Sequence, residues 1–157
     1  MGKVHLRVDG RMIHGQVANA WGKLLQTEEI LVVDDEVAKD ETQIMLLEFA
    51  VPPGVDFTMC TVDKAFNLLN SDYIQGKNIL VIFKYLDSAV RLFDKGYEFE
   101  KINLGGLYHE ENKKQYDKAL FLDDKDIENI KYLLDKGVEL YYQAAPMNKA
   151  VDIKKYI

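Results

Sequence analysis

With 157 residues and 48% hydrophobic content, the chain has material for one domain with a sizeable core and needs no second. A formal net charge of −6 at pH 7 gives no general attraction to nucleic acid or anionic lipid, so an anionic ligand must be met by local cations. Cys60 is the single cysteine, which excludes an intramolecular disulfide and reads as a buried thiol in a reducing compartment; with no basic and apolar leader and no apolar run of roughly 18 residues, a cytoplasmic location is expected.

Val4, Leu6 and Val8 alternate as a strand does, and Val17, Ala20, Trp21, Leu24 and Leu25 then recur at helical spacing. Further strands are expected at Glu29–Asp34, Asp56–Cys60, Lys77–Phe83, Phe99–Leu104, Ala119–Leu122 and Val138–Tyr142, seven in all. Pro52-Pro53-Gly54 reads as a turn. Between strands, Val62, Ala65, Phe66 and Leu69 share a helical face, as do Leu86, Ala89, Val90 and Phe93. Asp-Lys-Gly occurs at 94–96 and again at 135–137, each time closing an apolar helical face, so each glycine is expected as a helix C-cap. Such alternation predicts an α/β fold: a single-domain, three-layer α/β/α sandwich around a mostly parallel sheet of about seven strands.

Ligands of open parallel sheets bind beyond the carboxyl ends of the strands. Asp9 to His14, Asp34-Asp35, Gly105-Gly106 and Ala145-Pro146-Met147-Asn148 all fall there. The first is the richest. In Arg7-Val8-Asp9-Gly10-Arg11-Met12-Ile13-His14-Gly15-Gln16-Val17 a histidine and two arginines sit where a strand hands over to a helix, whose unpaired N–H groups attract phosphate. A neutral imidazole attacks a phosphoryl group and holds it as a phosphoramidate, and an ordinary pKa near 6.5 leaves much of it neutral at cellular pH. Such transfer depends on positioning and electrostatics, which makes His14 the candidate nucleophile and Arg11 the candidate phosphoryl clamp. Asp9 is expected to orient one of them, and Gly15, Gln16, Gly105 and Gly106 are candidate phosphate contacts. A solitary histidine is more often a surface or core residue, so the cluster by itself leaves both readings open. His5 reads as structural, and His109 as a loop histidine that lines the same face or simply packs. Asp34-Asp35-Glu36 reads as a helix cap rather than a metal site, and no metal centre is expected. Trp21 and the tyrosines have no basic stripe beside them and read as packing, not as a nucleic-acid platform.

From Arg7 to Val17 the chain strongly resembles the IIB component of the mannose/fructose/sorbose family of bacterial phosphoenolpyruvate-dependent sugar phosphotransferase systems. The match continues through residues 32–40, 102–106 and 143–146, so one such domain over 1–157 is expected. The resemblance implies that His14 accepts a phosphoryl group on Nδ1 from a phosphohistidine of the IIA component. It also implies that Arg11 manages the charge as the group passes to a hexose-type sugar entering through the membrane IIC and IID components, with no diffusible cofactor. Attachment to the inner face of the membrane through IIC and IID is implied as well. In two places the chain departs from many relatives: Gly10 stands where they carry a second acidic residue, and Asn148 where they carry Asp. A regulatory module that reads phosphorylation state, and an unrelated hydrolase using His14 on small phosphates, are the alternative functions. Tyr141 and Tyr142 fit a homo-oligomer interface or the core equally well.

Overall fold

A computed structural model describes residues 2–157, with the side chains of Gln16 and Val17 outside the description. In chain order the elements are β1 (Val4–Asp9), α1 (Gly15–Leu25), β2 (Glu29–Val33), α2 (Glu41–Ala50), β3 (Asp56–Cys60), α3 (Val62–Leu69), β4 (Ile79–Phe83), α4 (Leu86–Asp94), β5 (Lys101–Gly106), β6 (Lys114–Asp117), β7 (Leu120–Leu122), α5 (Asp124–Asp135), β8 (Glu139–Tyr142) and β9 (Val151–Asp152). Seven strands form one sheet in the order β3-β2-β4-β1-β5-β8-β9, parallel except for β9 against β8. The strands β2 and β4 are buried at every residue and, apart from Glu29, whose carboxylate accepts from the Thr58 and Tyr73 hydroxyls, are wholly apolar, as strands covered on both faces require.

Two apolar clusters divide the layers. Ile30, Val32, Leu80 and Ile82 pack with Ala18 and Trp21 of α1 and Leu47 of α2 on one side of the sheet. Leu31, Val33, Val81 and Phe83 pack with α3, α4 and α5 on the other. This is the expected three-layer α/β/α domain. From β1 the chain leaves through α1 toward β2, while from β5 it leaves the opposite way toward β8. The neighbours β1 and β5 therefore form the topological switch point, where a crevice opens beyond the strand ends.

Two details of the expected sheet are corrected. Residues 120–122 are extended, but they pair antiparallel with β6 in a separate hairpin, not in the main sheet. That hairpin hangs on the chain just past β5, where Leu107 donates its N–H to the Ala119 carbonyl and accepts from Phe121 N–H. The seventh strand of the main sheet is instead β9, two residues long and without a hydrophobic pattern of its own. Gly105 and Gly106 lie inside β5, not in a turn after it. Tyr142 is core and packs edge-on against Tyr156, whereas Tyr141 on the opposite face is only half-buried. Cys60 is buried, and burial pushes its thiol up to about 11, which keeps it protonated and inert.

Helix ends follow local chemistry. Asp40 and Thr61 cap α2 and α3, and Asp123 with Asp126 closes a capping box on α5. Both Asp-Lys-Gly junctions end their helices on a left-handed glycine, Gly96 at φ 119° and Gly137 at φ 86°. Space around Gly137 is open to an added Cβ, so Gly137→Ala isolates backbone strain. Urea unfolding of that variant is expected to show a loss of about 1–2 kcal/mol with an unchanged m-value.

Candidate functional site

At the end of β1, Asp9 is buried and accepts three hydrogen bonds. Arg7 Nη2 donates to Oδ2 at 3.0 Å, the Arg11 backbone N–H to Oδ1 at 3.0 Å, and His14 Nε2 lies 3.2 Å from Oδ2. Burial pushes the Asp9 carboxyl up, but the His14 hydrogen bond, the Arg7 charge and the Arg11 N–H outweigh it and hold the pKa below its ordinary value. As a carboxylate Asp9 can only accept, so Nε2 of His14 carries its proton and the lone pair of the neutral ring sits on Nδ1. His14 stands immediately before α1 in an extended conformation, with 27% of its side chain exposed. Among the described residues the His14 side chain makes no cap hydrogen bond to α1, and no acidic residue occupies the first turn, so the N-terminal N–H groups beside the imidazole suit an anion.

Behind Asp9, Arg7 is buried, with both terminal nitrogens of its guanidinium hydrogen-bonded. Its guanidinium donates to Asn103 Oδ1, to the Gln143 carbonyl at 3.0 Å and to the Ala144 carbonyl at 2.7 Å, besides Asp9. It also lies 5.1 Å from the Trp21 ring centroid. Burial lowers its pKa and the Asp9 charge opposes this, yet an arginine starts so high that it stays charged. The guanidinium needs the bare backbone of Gly105, where an added Cβ would fall 2.0 Å from Arg7 Cζ. The two arginines of the motif are thus divided. Arg7 builds the site from below, while Arg11 is exposed, its guanidinium resting 4.5 Å from the Tyr108 ring centroid.

Four of the candidate residues come together: Asp9, Arg11, His14 and, as first residue of α1, Gly15. Gln16 follows in the same helical turn, but its side chain lies outside the described residues. The space beside Gly105 and Gly106 is taken by protein, the Arg7 guanidinium at one and the Tyr108 hydroxyl at the other, so both serve close packing here. His109 packs edge-on against Phe121 in the hairpin, 5.5 Å between centroids. Asp34 accepts from Val37 N–H and caps the turn that follows, as expected, whereas Asp35 reaches across to Val62 N–H at the start of α3 and pairs with Arg91 of α4. The loop after β8 joins the site only through its Gln143 and Ala144 carbonyls, and Asn148 closes that loop by accepting from Ala145 N–H. Sequence reading missed Asn103 and Tyr108; the aromatic two residues beyond a Gly-Gly pair was the one available signal for the latter.

A partly exposed imidazole hydrogen-bonded to a buried carboxylate thus stands at the switch point of a parallel α/β sheet. Residues 4–157 match the family model of the PTS system sorbose subfamily IIB component, and the chain belongs to that family. It is 34% identical over 147 residues to the sorbose-specific EIIB component of Lacticaseibacillus casei, covering 94% of this chain and 90% of that protein. It is 37% identical over 134 residues to the mannose-specific EIIAB component of Escherichia coli (strain K12), covering 85% of this chain but only 42% of that longer protein. The crystal structure of the IIBSor domain of the sorbose permease from Klebsiella pneumoniae superposes with a TM-score of 0.93 at 29% identity, covering 99% of this chain and 96% of that one.

Because the folded-state pKa of Asp9 is depressed, its stabilisation is fully present above the unfolded value near 3.9 and is lost as pH falls through the depressed value. Asp9→Asn is expected to unfold at lower urea at pH 7, by ~3 kcal/mol, since it strips a buried guanidinium of its counter-charge. Below pH 4 the gap between the two proteins is expected to close.

Proposed function

We propose that this chain is the phosphocarrier of a sugar phosphotransferase system. His14 takes a phosphoryl group from a phosphohistidine of a IIA component and delivers it to a hexose-type sugar handled by the membrane IIC and IID components, at the cytoplasmic face. The observation that carries this reading is the 3.2 Å contact between His14 Nε2 and Asp9 Oδ2. Family membership and the fused A and B components of the mannose-specific relative support the choice of donor.

The chemistry follows from the geometry. In the first step Nδ1 of His14 bonds to phosphorus as the donor's N–P bond breaks, and the donor imidazole keeps that electron pair. The His14 ring, still protonated at Nε2, gains imidazolium character, which the Asp9 carboxylate stabilises much as a triad aspartate does for its histidine. In the second step a sugar hydroxyl oxygen bonds to phosphorus, the Nδ1–P bond breaks with its electron pair returning to the ring, and the hydroxyl proton leaves to solvent. Proton-bearing Nε2 makes the ring a good leaving group, so the phosphoryl group remains transferable. Arg11 supplies a permanent, forked cation to the non-bridging oxygens, and the first turn of α1 adds N–H donors. No helix among the described residues is long and apolar enough to cross a membrane, so contact with the membrane components is a docking contact.

Incubation with phosphoenolpyruvate, the general phosphotransferase proteins and a IIA component is expected to add one acid-labile phosphoryl group, and His14→Ala is expected to abolish it. Phosphorus NMR is expected to place the group on Nδ1; attachment on Nε2 would contradict the orienting role of Asp9. Arg11→Ala is expected to slow discharge to sugar about 100-fold, with acceptance from IIA much less affected.

A further inference from the structure

We propose that Tyr108 is a positioning residue for Arg11, a docking face that holds the guanidinium over the site until a phosphoryl group arrives, a role that rests on Arg11 serving the transfer as described above. Three observations converge on this one ring. The Arg11 guanidinium lies over the ring, 4.5 Å from its centroid. The ring also lies against backbone cleared of side chains: an added Cβ at Gly106 would sit 2.4 Å from the Tyr108 hydroxyl, and one at Gly10 would sit 3.2 Å from Cδ2. The two glycines are themselves tied together, Gly10 N–H donating to the Gly106 carbonyl at 2.8 Å across the β1/β5 switch point. A ring enclosed in this way has little freedom to leave, and it lies beside the residue that orients His14.

The loop that carries Tyr108 is also fastened at its far side. Lys113, whose ammonium is nearly buried, pairs with Asp126 in the first turn of α5 at 3.1 Å. Residue 107, immediately before the ring, is bonded to the hairpin through both its N–H and its carbonyl. Tyr108 is thereby referenced to β5 on one side and to α5 on the other. Arg11, on an exposed loop, would otherwise sample many rotamers, and a long flexible cation contributes to transfer only after it has lost them. Resting on the ring removes much of that freedom in advance. An exposed cation–π contact is weak, however, and a bidentate charge-assisted bond to phosphoryl oxygens is stronger, so the guanidinium can leave the ring when the anion appears. The phenol is secondary in this role. Burial and the nearby Asp9 charge hold it above its ordinary pKa, so it stays neutral and adds no charge to compete for Arg11.

The test separates the two transfer steps in the native chain and in Tyr108→Leu, Tyr108→Phe and Gly10→Ala, each made alone and in an Arg11→Ala background. Acceptance is read with phosphorylated IIA, discharge with the membrane components and sugar, and folding by circular dichroism. Tyr108→Leu is expected to slow discharge about fivefold, with acceptance within about twofold of the native rate. Tyr108→Phe, which keeps the face, is expected to restore discharge. Gly10→Ala, which pushes the ring without altering its chemistry, is expected to slow discharge in the same direction. In the Arg11→Ala background all three are expected to add nothing further. Native discharge by Tyr108→Leu beside a slow Arg11→Ala would overturn the role of Tyr108 and leave Arg11 in place. So would a Phe variant as slow as Leu, or equal slowing in the Arg11→Ala background, which marks a merely structural residue. Native discharge by Arg11→Ala itself would overturn both assignments. Should Tyr108→Leu not fold, the Gly10→Ala pair decides by the same criteria.

Discussion

One buried carboxylate organises this end of the molecule. Asp9 accepts from Arg7, from the Arg11 backbone and from His14, so a strand, a loop and a helix start are referenced to a single side chain. Arg7 extends the reach of that constraint: its remaining donors engage Asn103 of β5 and two carbonyls of the loop after β8. Three strands that are far apart in sequence are thereby locked at the point where their carboxyl ends meet. Removing two charges from water is costly, and a hydrophobic pair would often serve stability as well. What a hydrophobic pair cannot do is hold an imidazole in one tautomer. The cost of burial is sensible only if the orientation of His14 is what the arrangement secures, and both oxygens of Asp9 and both terminal nitrogens of Arg7 are hydrogen-bonded accordingly.

The two arginines of the motif illustrate how position selects role within one residue type. Arg7 points out of the middle of a strand into a closed space, where its planar fork meets Asn103, two backbone carbonyls and Asp9 at once. A lysine there would present a point charge to four separately placed acceptors and leave some unmet. Arg11 sits two residues beyond the strand, on a loop whose backbone is pinned by Asp9 but whose side chain is exposed. A pinned backbone leaves the Arg11 guanidinium at the surface, resting on Tyr108. Burial among four acceptors fixes Arg7 in place.

Much of this was legible in the chain because local chemistry and global fold agree. The strand-to-helix handover around His14, the helix faces at Val62–Leu69 and Leu86–Phe93, the two Asp-Lys-Gly caps and the capping role of Asp34 all depend on residues close in sequence. The failures share the opposite property. Helix α2 has Ile44, Met45, Leu46, Leu47 and Phe49 distributed around its circumference, only Leu47 of them fully buried, so it has no one-sided stripe to read. Strand β9 is two residues paired to β8 by tertiary contact alone. The stretch at 120–122 has the pattern of a strand, and nothing in that pattern says which partner it will take. Gly105-Gly106 read as candidate phosphate contacts because a glycine pair at a strand end is ambiguous between room for a ligand and close packing; only the positions of Arg7 and Tyr108 decide for packing.

That last ambiguity bears on how the site is built. Space at Gly105 and Gly106 is not left for a ligand but filled by two side chains arriving from elsewhere, one from β1 and one from the loop beyond β5. The β1/β5 register shifts at this point, Val8 standing opposite Leu104 and Asp9 opposite Gly106, which leaves Gly105 as the extra residue of a bulge. The pair clears space at the switch point, admitting the Arg7 guanidinium at Gly105 and the Tyr108 ring at Gly106. Arg7 leads to Asp9 and so to His14; Tyr108 leads to Arg11. His14 and Arg11, three residues apart in the chain, are thus each backed by a side chain that needs one of these two glycines. A side chain added at Gly105 would meet the Arg7 guanidinium, and one added at Gly106 would meet the Tyr108 ring.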